Sequence, residues 1–89
     1  MPACAYLVEC SDKTLYAGWT TDPVKREKTH NSGKGAKYTR SRLPVKMVYI
    51  EPFETPTEAM KREAALKKLS RAEKLKLIEN YYDKKAEVL

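Results

Sequence analysis

The hydrophobic pattern along the chain resolves into six elements. Residues 5–10 (AYLVEC) and 14–20 (TLYAGWT) are rich in strand formers, and Ser11, Asp12 and Lys13 between them predict a tight hairpin turn. Asp22 then caps a helix with Pro23 at its first position, where a missing N–H costs nothing, and Asn31, Ser32 and Gly33 end it. From Lys34 to Pro44 there is little apolar periodicity, which predicts a loop. Val45 to Ile50 (VKMVYI) reads as a third, mostly buried strand. Thr55-Pro56-Thr57-Glu58 is a capping box opening a helix to about Leu69, and Ser70-Arg71-Ala72-Glu73 opens another at once. The last helix carries an apolar stripe of Leu75, Ile78 and Tyr82. The order ββαβαα predicts an α+β fold: a small three-stranded, largely antiparallel sheet flanked by helices. At 89 residues the chain is expected to form one domain, residues 1–89, with a modest core and no separate specificity domain.

The length of the first turn decides where two tyrosines point. With a three-residue loop, Cys10 faces Thr14, Tyr6 faces Gly18 and Val8 faces Tyr16. Strand parity then places Tyr6, Tyr16 and Gly18 on one face, the tyrosines diagonal neighbours ~7–8 Å apart. Gly18 would leave open space beside Tyr6 for a ligand to approach. A two-residue loop would send the tyrosines to opposite faces.

Charge adds a second layer. The chain has 18 basic and 12 acidic side chains, a net charge of +6. Six of the basic ones (Lys28, Lys34, Lys37, Arg40, Arg42 and Lys46) lie in a central stretch without acids, and the remaining 12 are balanced by the 12 acids. Such a segment is either a solvated loop or a surface facing a polyanion. Neutrality elsewhere favours the polyanion, with electrostatic affinity and little base readout. Cys4 and Cys10 sit in one strand, ~20 Å apart at ~3.3 Å per residue, too far to bridge. This predicts a reducing compartment. With no signal-peptide pattern and no apolar run of ~20 residues, a soluble cytoplasmic protein without membrane contact is expected.

Three side chains invite chemistry. Arg26 and His30 are four residues apart on the first helix and share a face, a planar donor fork beside the only histidine. Glu63 falls near Ala59, Met60 and Leu66, within a stripe expected to face the core. A carboxylate there is either paired with Lys67 one turn on or holding a metal.

In this order the residues resemble the GIY-YIG nucleases, most closely their small, single-domain bacterial members. The first motif reads Cys4-Ala5-Tyr6 and the second Tyr16-Ala17-Gly18. Arg26 follows the glycine by eight residues, His30 comes four later, and Glu63 stands on the next long helix. The segments HNSGKGAKYTR (residues 30–40) and REAALKKLSRAEK (residues 62–74) also fit that group, and the likeness runs from about Cys4 to Tyr82. Departures are few: Ala5 and Ala17 replace isoleucines, Cys4 replaces a glycine, and Leu75 stands where many of these nucleases keep an asparagine. Asn80 lies at the wrong spacing to replace it.

The resemblance implies a GIY-YIG endonuclease-like fold and a phosphodiesterase site with one divalent metal, Mg²⁺ or Mn²⁺, on Glu63. Arg26 would clamp the phosphoryl oxygens. One of Tyr6 and Tyr16 would orient or deprotonate the attacking water with His30 as proton acceptor, while the other would contact the phosphate. Lys34, Lys37, Arg40 and Arg42 would carry the nucleic acid, with DNA favoured over RNA. An alternative is a catalytically weak or silent binding module, or a subunit that needs a protein partner. The sequence leaves the oligomeric state open.

Overall fold

The computed structural model describes residues 1–88, with side chains described as far as Lys84. The elements are β1 (Ala3–Glu9), β2 (Leu15–Thr20), α1 (Pro23–Asn31), α2 (Lys37–Arg40), β3 (Lys46–Phe53), α3 (Pro56–Lys67) and α4 (Arg71–Val88). The sheet is antiparallel with order β2-β1-β3. β1, in the middle, is buried from Ala3 to Val8, which explains its almost unbroken apolar run.

The hairpin has a three-residue loop. The Cys10 N–H donates to the Thr14 carbonyl and the Lys13 N–H to that of Cys10, each at 2.9 Å. Lys13 takes a positive φ of 71°, the left-handed residue such loops require. β1 pairs with β2 in the register anticipated, Tyr6 opposite Gly18 and Val8 opposite Tyr16. Between β1 and β3 a bulge leaves Val48 as the extra residue, because Leu7 faces Tyr49 and Val8 faces Met47.

The two sheet faces carry two apolar clusters. Ala5, Leu7, Ala17, Val48, Tyr49 and Leu66 pack together against α3 and α4. Tyr6, Val8, Cys10 and Val45 pack on the opposite face, where α1 and α2 lie. Leu7 and Leu66 are fully buried, each contributing about 1.5–3 kcal/mol of burial. Both cysteines are free and buried, and burial pushes both thiols up.

Three expectations need correction. The stretch from Lys34 to Pro44 is not all loop. It contains the single turn α2, fixed by buried Thr39, whose hydroxyl donates to the Ala36 carbonyl at 3.0 Å. One buried threonine leaves no apolar periodicity to read. The α4 stripe is Leu77, Ile78 and Tyr81, while Leu75 and Tyr82 are largely exposed. Packing against β3 sets that phase, with the Tyr81 ring 5.6 Å from the Tyr49 ring. Finally, β3 runs on to Phe53 and forms a sheet edge, with buried Val45 just ahead of it and buried Val48 and Tyr49 within it.

α1 is held differently. Its only buried residue is His30, so apolar packing does little for it. It is tied to the start of β3 by polar groups instead. Asn31 exchanges hydrogen bonds with the Val45 backbone, donating to O at 3.0 Å and accepting from N at 2.7 Å. The Glu27 carboxylate accepts from the Met47 N–H at 2.7 Å.

Candidate active site

The register places Tyr6, Tyr16 and Gly18 on the face that α1 covers, and Asp22 and Pro23 start α1 where Arg26 and His30 reach them. The Asp22 carboxylate accepts from the Lys25 N–H at 3.1 Å, closing the first turn. The result is a chain of hydrogen bonds. Arg26 Nε donates to Tyr6 Oη at 3.3 Å, Tyr6 Oη meets His30 Nε2 at 2.8 Å, and His30 Nδ1 meets Thr39 Oγ1 at 2.9 Å.

The direction of this chain follows from counting protons. Thr39 has one hydroxyl hydrogen, and Ala36 O takes it. His30 Nδ1 must therefore carry its own hydrogen and donate to Thr39. Nε2 is then bare and accepts from the Tyr6 hydroxyl, leaving the Tyr6 oxygen to accept from Arg26. Each hydrogen in the chain then has one acceptor, and the Nη groups of Arg26 stay outside it.

Burial sets the electrostatics. Tyr6, His30 and Thr39 are fully buried. Burial lowers the His30 pKa, and the Arg26 charge lowers it further, so the ring is neutral near pH 7. The Tyr6 phenol is raised by burial, against the downward pull of the Arg26 hydrogen bond, with a smaller upward push from the Glu63 charge. Arg26, only half-buried, is where the array meets solvent.

Neutral His30 gives a testable pH signature. In ¹H–¹⁵N spectra its Nδ1 should be protonated and Nε2 bare, with a titration midpoint below the ordinary 6.5 of the imidazole. The folded pKa lies below the unfolded one, so stability is complete above ~6.5 and is lost as pH falls from there toward the folded value. A protonated Nε2, or a midpoint at or above 6.5, would contradict the assignment.

Gly18 does not leave open space. The Tyr6 ring fills it, and a Cβ at position 18 would overlap Tyr6 Oη. Gly35, which the sequence gave no reason to single out, plays the same part for the histidine. A Cβ there would overlap His30 Nδ1 and lie 2.8 Å from the His30 Cα. Thr39 and Tyr38 were also missed. Both lie in the HNSGKGAKYTR segment, but a hydroxyl's role in orienting a ring has no sequence signature of its own. Tyr38 stacks on Tyr16 at 5.7 Å and 19°, and Tyr16 in turn meets the His30 ring edge-on at 5.8 Å.

Glu63 projects from α3 with its side chain 22% exposed, and its Oε1 lies 3.5 Å from Lys67 Nζ. It is therefore at the margin of the apolar stripe rather than within it. Among the described residues no group of three or more His, Cys, Asp or Glu side chains converges on one point. A lone carboxylate does not fit a zinc-type cage. It does fit a hard cation that keeps several waters and takes further ligands from a substrate phosphate.

Lys34, Lys37 and Arg40 are exposed around α2. Arg42 is occupied within the fold. Its Nε bonds Asp12 Oδ2 at 3.1 Å, its Nη1 donates to the Tyr38 carbonyl at 2.8 Å, and its guanidinium covers the Tyr38 ring at 4.0 Å. A larger hollow, of about 760 Å³, lies across the sheet among Tyr49, Glu51, Arg62, Asn80 and Tyr81. Its Tyr49, Glu51 and Arg62 bond one another at 2.6–2.8 Å, and Asn80 lies there, away from Tyr6 and His30.

A tyrosine pair, an arginine and a histidine on one face of a β2-β1-β3 sheet, with a carboxylate on the following helix, define a recognisable class. The model of the GIY-YIG catalytic domain matches residues 2–76, and the chain belongs to that nuclease family. Its relatives are small bacterial UPF0213 proteins. That of Syntrophus aciditrophicus is 61% identical over 74 residues, covering 82% of this chain and 85% of its own. That of Streptococcus agalactiae, SAG0778, is 54% identical over 81 residues, covering 91% and 92%. Two solution NMR structures are similar. One is the UPF0213 protein BH0048 of Bacillus halodurans (46% identity, TM-score 0.56, covering 89% of this chain and 84% of that one). The other is EF2693 of E. faecalis (44%, TM-score 0.60, covering 92% and 88%). Among the described residues no helix is long and apolar enough to cross a membrane.

Proposed function

We propose that the domain is a metal-dependent endonuclease that hydrolyses phosphodiester bonds of DNA with weak or structure-driven specificity. The observation that carries this is the hydrogen-bonded chain Thr39–His30–Tyr6–Arg26, a fully buried array ending in a half-exposed guanidinium. Such an array holds one cation in a fixed direction, which is what stabilising charge on a phosphoryl group requires. Burial divides the labour. Tyr6 and His30 are sealed from solvent and would act by orienting Arg26, whereas Tyr16, half-buried beside them, would meet the phosphate and its attacking water. Arg26 clamps the phosphoryl oxygens as they gain charge. Glu63 would hold Mg²⁺ or Mn²⁺, which when bound supplies Lewis-acid stabilisation of the phosphate and of the leaving oxygen. Lys34, Lys37 and Arg40 give sequence-independent attraction to the backbone.

The test is incubation of the purified protein with single-stranded, duplex and branched DNA, and with RNA, in Mg²⁺ or Mn²⁺ and in chelator. Slow, metal-dependent cutting of internal bonds is expected, with Arg26→Ala slower by about 10²–10³-fold. Binding without cutting under every condition would support instead a silent or partner-dependent module. Leu75, exposed on α4 at the position where the resemblance to GIY-YIG nucleases implies an asparagine, is the feature that favours that second reading.

A further inference from the structure

The central basic segment is not the only cationic surface beside the tyrosines. At the Thr14 end of β2 a hollow of about 180 Å³ is lined by Thr14, Leu15, Tyr38, Arg71 and Lys74. Arg71 reaches across from the start of α4 and donates from Nη1 to the Lys13 carbonyl at 2.8 Å. That partner is neutral, so it leaves the charge uncompensated. The nearest acid in sequence, Glu73, is occupied, its carboxylate accepting from the Ser70 N–H at 2.9 Å. Among the described residues neither Arg71 nor Lys74 forms an ion pair. The hollow thus carries two cations with no acid in its lining, while the Thr14 hydroxyl and N–H are both spent on the Asp12 carboxylate beside it. It is also coupled to the site, because Tyr38 is both its wall and the stacking partner of Tyr16.

A second hollow lies at the other end of β2, lined by Thr20, Thr21, Asp22, Lys25, Arg26 and Thr29. It offers the cations Lys25 and Arg26, with the Thr20 and Thr29 hydroxyls donated to backbone carbonyls, and its one acid, Asp22, is turned to the first turn of α1. The two hollows bracket the six residues of β2, ~20 Å of strand at ~3.3 Å per residue, with Tyr16 and Gly18 between them.

We propose that Tyr38, Arg71 and Lys74 form a phosphate-binding subsite, and that the nucleic-acid strand runs along β2 from this subsite, past Tyr16, to the Lys25 and Arg26 end. This rests on the nuclease reading and deepens it. A strand anchored on both sides of the reacting phosphate is cut internally, and its path follows β2 toward α4 rather than the α2 segment alone. The cations that define the path do not stand out in sequence because α4 carries four acidic side chains against its five basic ones.

The test measures binding of a fluorescent, mixed-sequence single-stranded oligonucleotide without divalent metal, over a range of KCl. Losing two phosphate contacts lowers the slope of log K against log salt by about 1.4, at ~0.7 per contact for single strands. Arg71→Ala/Lys74→Ala should show that flattening and a weaker Kd, and Lys25→Ala should show about half of it. Because Arg71 also ties α4 to the hairpin, Lys74→Glu alone provides a second variant that leaves this tie intact, and it should weaken binding at an unchanged melting temperature. Backbone NMR signals of Thr14, Leu15 and Lys74 should shift on titration of the wild type. Wild-type affinity and slope in both the double variant and Lys74→Glu, with those signals unmoved, would overturn the subsite while leaving the nuclease reading in place. Failure of the wild-type chain to bind any oligonucleotide would overturn both.

Discussion

Glu63→Gln is expected to remove metal-dependent cleavage, by on the order of 10²–10³-fold or more, while the protein stays folded. Glutamine keeps the shape of the side chain and deletes the charge that would hold the cation. The cost to stability should be small. The carboxylate is partly exposed and, among the described residues, its only ion pair is the one with Lys67 at the next turn, an arrangement worth about 0.3–0.5 kcal/mol. That corresponds to less than about 4 °C in melting temperature for a domain of this size. A stabilising effect, which a carboxylate stranded in apolar surroundings would give, is not expected. Cleavage at the wild-type rate in the variant, with the chelator still abolishing it, would mean that a contaminating enzyme is responsible.

Gly18→Ala should be the more damaging change to the fold itself. The added methyl would overlap the hydroxyl of Tyr6, a ring with no room to retreat because it is fully buried and bonded to both His30 and Arg26. Overpacking of this kind costs about 1–3 kcal/mol. The break should be visible in two ways. Denaturant unfolding should shift to lower concentration, and the His30 ring signals should lose the signature of a bare Nε2 accepting a hydrogen bond. With Arg26 no longer held, cleavage should fall as well. A variant with wild-type stability and unchanged His30 signals would show that Tyr6 does not occupy that space in solution.

Much of this architecture is legible before any coordinates. The strand formers of β1 and β2, two capping boxes and the Asp22-Pro23 start are local features, and each appears where the chain chemistry places it. The tyrosine register followed from one assumption about turn length, and positive φ at Lys13 bears that assumption out. What stayed hidden is non-local. Thr39 matters because it lies against a histidine nine residues away, and its single proton then dictates the tautomer. The stripe of α4 depends on where β3 presents Tyr49, which no helical periodicity encodes. Arg42 looks like any other cation in a basic run until Asp12, 30 residues earlier, is seen beside it.

The way α1 is fastened has a consequence for motion. The helix that carries Arg26 and His30 contributes a single buried side chain, and its hold on the sheet comes mainly from hydrogen bonds, Asn31 and Glu27 to the start of β3 and Arg26 and His30 to Tyr6. Directional bonds of this sort give accurate aim but little cohesive area. Elements with few buried apolar contacts open first in local unfolding, while a central strand opens only with the whole molecule. Amide hydrogens of α1 should accordingly exchange well ahead of those of β1. The aim of Arg26 and the integrity of the sheet are therefore separable quantities, and warming could erase the first while a melting curve dominated by the second still reads native.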